Sequence, residues 1–186
     1  MSKRMPPNAP HLVKPVVLVG MMGAGKSAVG LALARLLAVQ FLDSDEALTE
    51  AANMSIGEIF ERDGEAFFRK RETEVIDRLL TGVPAVLSTG GGAFMSAQNR
   101  QLISEKGVSL WLKADLDLLW NRVKHKTTRP LLRTDDPHAT LSEIFELRDP
   151  LYAKADLFVE ARADYSIEEM AQAVCDRLIE AGVVES

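Results

Sequence analysis

Val16–Ser27 reads VVLVGMMGAGKS, and the apolar-rich run AVGLALARLLA follows it. Four apolar residues lead into Gly20, and Gly20-x-x-x-x-Gly25-Lys26-Ser27 then opens a helical pattern. Strand, glycine-bearing loop and helix in this order form the context in which the motif holds phosphate. Gly20, Gly23 and Gly25 let the backbone turn tightly, so that successive N–H groups converge on phosphate oxygens. The helix adds the positive end of its dipole. Lys26 brings a point charge for the β- and γ-phosphates. Ser27 offers a hydroxyl to Mg²⁺. A plain glycine turn between strand and helix would not require this spacing, so the stretch predicts a nucleoside triphosphate site.

Working outward, the chain alternates strand and helix. Strands are expected at Val16–Gly20, Val39–Leu42, Pro84–Ser88, Val108–Lys113 and Leu157–Glu160. Helical patterns fall between them, with capping boxes at Ser55-x-x-Glu58 and Ser166-x-x-Glu169. Asp63-Gly64 is expected to break the long pattern from Ser55 to about Leu80. The second strand delivers Asp43-Ser44-Asp45 at its carboxyl end, where ligands bind in open parallel sheets. One Asp can cap the next helix while Asp45 serves function. Arg69 follows two phenylalanines at the edge of an apolar stripe, so it is either a solvated charge or a site residue. The third strand ends in Thr89-Gly90-Gly91-Gly92, either a turn or a place where backbone meets ligand. His125–His138 is polar and aperiodic, and a loop of that kind in a compact domain reads as a lid that brings Arg129 and Arg133 over a triphosphate.

Bulk properties narrow the class. A chain of 186 residues with 47% apolar and 26% charged residues suits one globular domain. The net charge of −5 argues against a nucleic-acid partner. A lone cysteine, Cys175, leaves no internal disulfide and fits the cytoplasm. No apolar run is long enough for a membrane span. Residues 1–14 lack an apolar signal core and are expected to be a disordered leader, with 15–186 forming the domain. The absence of an Asn-Lys-x-Asp segment argues against a guanine-specific hydrolase. Asp45 is suited to orient an alcohol and take its proton, and Arg69 and Arg148 to grip an anion. Together they describe a small hydroxylated carboxylate as acceptor.

From Val16 to about Gly182 the chain resembles the shikimate kinase family. The resemblance rests on GMMGAGKS at Gly20–Ser27, LDSD at Leu42–Asp45, FR at Phe68–Arg69, GGG at Gly90–Gly92, RPLL at Arg129–Leu132 and RDPLY at Arg148–Tyr152. It implies an α/β three-layer P-loop fold: a five-stranded parallel sheet in order 2-3-1-4-5, a lid near 125–138 and a substrate-binding helical region near 45–80. It implies transfer of the ATP γ-phosphate to the 3-hydroxyl of shikimate, on the route to chorismate, by a cytoplasmic monomer with Mg²⁺ as cofactor. By resemblance, Gly23, Ala24, Gly25, Lys26, Ser27 and Ala28 wrap the nucleotide phosphates, and Arg122 stacks on adenine. Ser27 binds the metal directly and Asp43 through water. Asp45 holds shikimate hydroxyls and acts as base. Arg69 and Arg148 clamp the carboxylate with the backbone of Gly91 and Gly92, and Glu72 supports Arg69. Lys26 and Arg129 stabilise the transferring phosphoryl group. Ala28 stands where many relatives carry a second hydroxyl, and Arg133 adds a charge after RPLL. The competing readings are another small kinase, acting on gluconate or a nucleotide, and a nucleotide-binding regulatory module without turnover.

Overall fold

The computed structural model describes residues 10–126 and 129–185. In chain order the elements are β1 (His11–Leu12), β2 (Val16–Val19), α1 (Lys26–Leu37), β3 (Phe41–Asp43), α2 (Ser44–Ala52), α3 (Ile56–Thr81) and β4 (Val86–Ser88). Then come α4 (Ala97–Lys106), β5 (Val108–Lys113), α5 (Leu116–Val123), α6 (Pro137–Tyr152), β6 (Leu157–Glu160), α7 (Ile167–Glu180) and β7 (Val184–Glu185). Single 3₁₀ turns lie at Ala93–Met95 and Pro130–Leu132.

Five strands pair in parallel in the order β3-β4-β2-β5-β6, which is 2-3-1-4-5 when the five are numbered alone. β2 lies at the centre, and all four of its residues are buried, as an unbroken apolar strand covered on both faces requires. Its register sets Leu18 beside Ser88 of β4 and Leu110 of β5, while Asp43 of β3 pairs with Ser88. The carboxyl ends of β2, β3 and β4 therefore open side by side, and the loops after them build one crevice. α1 packs against α7, and α3 against α4. The main core runs through the sheet. Leu48, Ile59, Phe68 and Val75 form a separate small core that joins α2 to α3. Among the described residues no helix is long and apolar enough to cross a membrane.

Both capping boxes form, at Ser55 with Glu58 and at Ser166 with Glu169. Gly64 breaks α3 with φ 82° and ψ 171°, a conformation that side chains resist although the space around it is open. Three expectations are corrected. β3 begins two residues later than the sequence pattern indicates, so Asp43 ends the strand and caps α2. α6 starts at Pro137 rather than Leu141, because Asp136 caps it and proline suits its first turn. The leader is ordered before residue 15. His11–Leu12 pairs antiparallel with Val184–Glu185, and Leu12 is buried. A two-residue strand has no period to read, and its partner lies at the other end of the chain. Residues 1–9 of the expected leader, and 127–128 of the expected lid, lie outside the described residues.

Gly30 shows how closely α1 approaches the sheet. A Cβ there would lie 2.6 Å from Phe41 Cε2 and 3.1 Å from Leu18 Cδ1. Gly30→Ala is expected to destabilise the fold by about 1–3 kcal/mol despite alanine's better helix propensity. In a thermal melt this lowers Tm by roughly 3–10 °C; a raised Tm would show that the helix has room to move.

Candidate active site

The loop between β2 and α1 is built on left-handed glycines, with φ 83° at Gly23 and 98° at Gly25. Val29 N–H makes the first backbone bond of the helix to the Gly25 carbonyl, at 2.8 Å. The amides of the preceding turn are left for a ligand, as at any helix start. Lys26 Nζ folds back onto the carbonyls of Gly20 and Met21, at 2.6 and 3.0 Å. Gly23 through Ala28 line a cavity of about 570 Å³, together with Asp43, Asp45, Arg122 and Arg129. Ser27 and Asp43 thus present two hard oxygen donors to the same space, and Asp43 Oδ1 also caps α2 by accepting from the amides of Asp45 and Glu46. Among the described residues no cluster of three His, Cys, Asp or Glu offers a metal a full set of ligands.

Arg122, expected beside the nucleotide, has partners in the loop itself. Its Nη1 donates to the carbonyls of Gly23 and Ala24, at 3.0 and 3.2 Å, so here it braces the loop from α5. It still lines the cavity.

A second cavity, of about 650 Å³, lies between the glycine run and the α2–α3 unit. Asp45, Arg69, Glu72, Arg129 and Arg148 line it, beside the apolar Phe60, Phe68 and Leu131. Met22, Asp45, Gly90, Gly91 and Arg129 belong to the walls of both cavities. The two spaces therefore meet at a carboxylate and an arginine, the arrangement that lets a group pass from one bound molecule to another.

The glycine run is explained by space. A Cβ on Gly90 would lie 2.8 and 2.9 Å from the Asp45 carboxylate oxygens. On Gly91 it would lie 2.7 Å from Arg148 Nη1, and on Gly92 2.7 Å from Arg69 Nη2. Each missing side chain makes room for one charged group. None of the three has a positive φ, so their service is close approach rather than an unusual backbone. Sequence reasoning singled out the run Gly90–Gly92 and gave roles to Gly91 and Gly92 but none to Gly90, because what fills the space beside a glycine is a tertiary fact. It also passed over Met22.

Glu72 is 2% exposed, and its Oε1 accepts from Arg69 Nη1 at 2.9 Å across one helical turn. Burial raises its pKa, and the bond from Arg69 opposes that rise. The guanidinium of Arg69 also stands 5.1 Å from the Phe68 ring centroid. Ring and carboxylate together hold it in one orientation. Burial also raises the pKa of Asp45, and neighbouring Asp43 adds to the rise, while Lys26 and Arg69 hold it down. A carboxylate so raised is a better proton acceptor near neutrality. Lys26 is lowered from 10.5 to about 8, first by burial and then by Arg129 and Arg148, against the pull of Asp45 and Asp43.

A phosphate-binding loop joined through one shared wall to an arginine-lined acceptor cavity defines a P-loop phosphotransferase for small molecules. The chain belongs to the shikimate kinase family, whose model, described as "Shikimate kinase", matches residues 22–179. It is 64% identical to the shikimate kinase of Ruegeria pomeroyi over 173 residues, 93% of this chain and 89% of that one. It is 62% identical to the shikimate kinase of Cereibacter sphaeroides over 168 residues, 90% of this chain and 84% of that one. The structure of the Acinetobacter baumannii shikimate kinase in complex with shikimate superposes with a TM-score of 0.83 at 36% identity, covering 90% of this chain and 94% of that one. A gluconokinase from Sinorhizobium meliloti, at 18% identity and a TM-score of 0.62, over 92% of this chain and 94% of that one, shares the fold.

Two outcomes follow from this geometry. Bringing a triphosphate to Lys26 restores its ordinary basicity, so ATP binding at pH 8 should take up roughly half a proton, and affinity should fall as pH rises past 8. Calorimetry in buffers of different ionisation enthalpy reads the uptake directly; a zero or negative value there would contradict a lowered lysine. Gly90→Ala should displace the Asp45 carboxylate and reduce turnover by about 10²-fold. ATP affinity should change little, and unimpaired turnover would mean that Asp45 does not work from this position.

Proposed function

We propose that the chain transfers the γ-phosphate of ATP to the 3-hydroxyl of shikimate, releasing ADP and shikimate 3-phosphate. The observation that carries this reading is the wall shared by the two cavities, with Asp45 and Arg129 in it and the Arg69–Arg148 pair beyond it. The loop amides and Lys26 hold the triphosphate. Two planar guanidiniums beside Gly91 and Gly92 suit a carboxylate, which accepts paired N–H bonds. With the carboxylate anchored there, a ring hydroxyl reaches Asp45. Asp45 takes the hydroxyl proton as its oxygen bonds to the γ-phosphorus. The bond from that phosphorus to the bridging β-oxygen breaks, and ADP leaves. Lys26 and Arg129 offset charge on the transferring oxygens. Arg122, which braces the loop, stands beside the nucleotide as well.

Mg²⁺ fits the donor set, since it takes one or two protein oxygens and completes its shell with water and phosphates. Ser27 would hold it directly and Asp43 through water, and it would neutralise phosphate charge. The enzyme acts in the cytoplasm as a monomer, on the route to chorismate and the aromatic amino acids, and uses no nucleic acid or membrane partner.

The test is ADP release with ATP and Mg²⁺ against shikimate, quinate, gluconate and nucleoside monophosphates. Turnover is expected with shikimate and at most traces with the others. Turnover led by another acceptor would discard the carboxylate clamp and keep the phosphate loop. ATP binding without turnover on any acceptor would favour a regulatory module.

A further inference from the structure

One buried hydroxyl is bonded to the glycine run of the acceptor clamp, and the functional reading so far leaves it unused. Tyr152 stands one turn after Arg148 on the same face of α6. It is 0% exposed, and its ring is stacked near Phe94 and Trp111, with centroids 6.4 and 6.3 Å away. A phenol buried this deeply needs a partner for its O–H. It donates to the Gly91 carbonyl oxygen at 2.6 Å. Arg148 comes to the same place, since a Cβ on Gly91 would lie 2.7 Å from Arg148 Nη1 and 3.6 Å from the Tyr152 oxygen. Burial raises the pKa of the phenol, and the positive charge of Arg148 beside it opposes that rise.

The peptide plane converts this bond into an aim. The Gly91 carbonyl and the Gly92 N–H belong to one trans peptide and point in opposite directions. Holding the carbonyl on Tyr152 turns the Gly92 N–H away from it. Among the described residues no acceptor meets that N–H, and Gly92 lines the acceptor cavity. Glycine on both sides of the peptide leaves it otherwise free to rotate. A rigid ring with a fixed hydroxyl removes that freedom.

We propose that Tyr152 is a positioning residue for the acceptor carboxylate: its hydroxyl orients the Gly91–Gly92 peptide so that its N–H faces the cavity beside the Arg148 guanidinium. The inference rests on the shikimate reading above. It deepens that reading by giving the clamp a third, backbone donor whose direction is set from α6.

The test is Tyr152→Phe, which keeps the ring and its stacking and removes only the hydroxyl. In the ADP-release assay, KM for shikimate should rise roughly fivefold to twentyfold, with KM for ATP within about twofold of the parent. An analogue with the carboxylate reduced to a hydroxymethyl group serves as competitive inhibitor. Its Ki should be alike for parent and variant, because it has nothing for the clamp to hold. A merely structural role would weaken shikimate and analogue equally, or ATP as well, and either result overturns the proposal, as does an unchanged KM for shikimate. Should the phenylalanine variant fail to fold, 3-fluorotyrosine placed at position 152 retains ring and hydroxyl while making the hydroxyl more acidic. KM for shikimate must then shift alone, and an unchanged value overturns the proposal. Failure of the functional reading is separately visible, as an absence of shikimate-dependent ADP release in the unsubstituted chain.

Discussion

Backbone and charged side chains meet at van der Waals contact along Gly90–Gly92, and the site depends on that contact. Asp45, Arg148 and Arg69 each occupy the space where a side chain on one of these glycines would stand. Three elements are thereby pinned to the end of β4: α2 through Asp45, α3 through Arg69 and α6 through Arg148. The arrangement holds only because β4 sits beside the fully buried β2, whose loop carries the phosphate site. Sheet order thus sets the distance between the triphosphate and the acceptor.

Electrostatics follow from that crowding. Arg129 and Arg148 add to the cost of charging Lys26, and Asp43 adds to the cost of charging Asp45. A lysine lowered to about 8 and a carboxylate raised above its ordinary value are both poised nearer neutrality than they would be alone. A bound anion would relieve the repulsion that Arg129 and Arg148 impose on Lys26. Arg69 is the exception. Its buried partner Glu72 trades some of that excess charge for a fixed orientation.

The α2–α3 unit has its own small core, separate from the main one. α3 also joins the main core through Ile76 and Leu80, so the unit is anchored to the sheet at one end only. The acceptor cavity lies between this unit and the glycine run. The phosphate loop thus rises from the main core, while the acceptor wall is built partly on a second, smaller one, a division that suits closure around two substrates.

The phosphate loop, the alternation of strands and helices, both capping boxes and the break at Gly64 were legible before any folding was known. These are written in contiguous residues, because backbone conformation and helix capping act over a few positions. The Asp43-Ser44-Asp45 segment was legible for the same reason, as it sits at the end of a strand. Why Gly90–Gly92 must be glycine, where Arg122 goes and what Tyr152 holds emerge from the packed fold alone. Arg122 reaches a carbonyl 99 residues away, and Tyr152 one 61 residues away. The pairing of Leu12 with Val184 closes almost the whole chain. Contacts of that kind leave no local pattern. They arise when the sheet brings distant loops to one edge, and packing then selects which side chain fills each space.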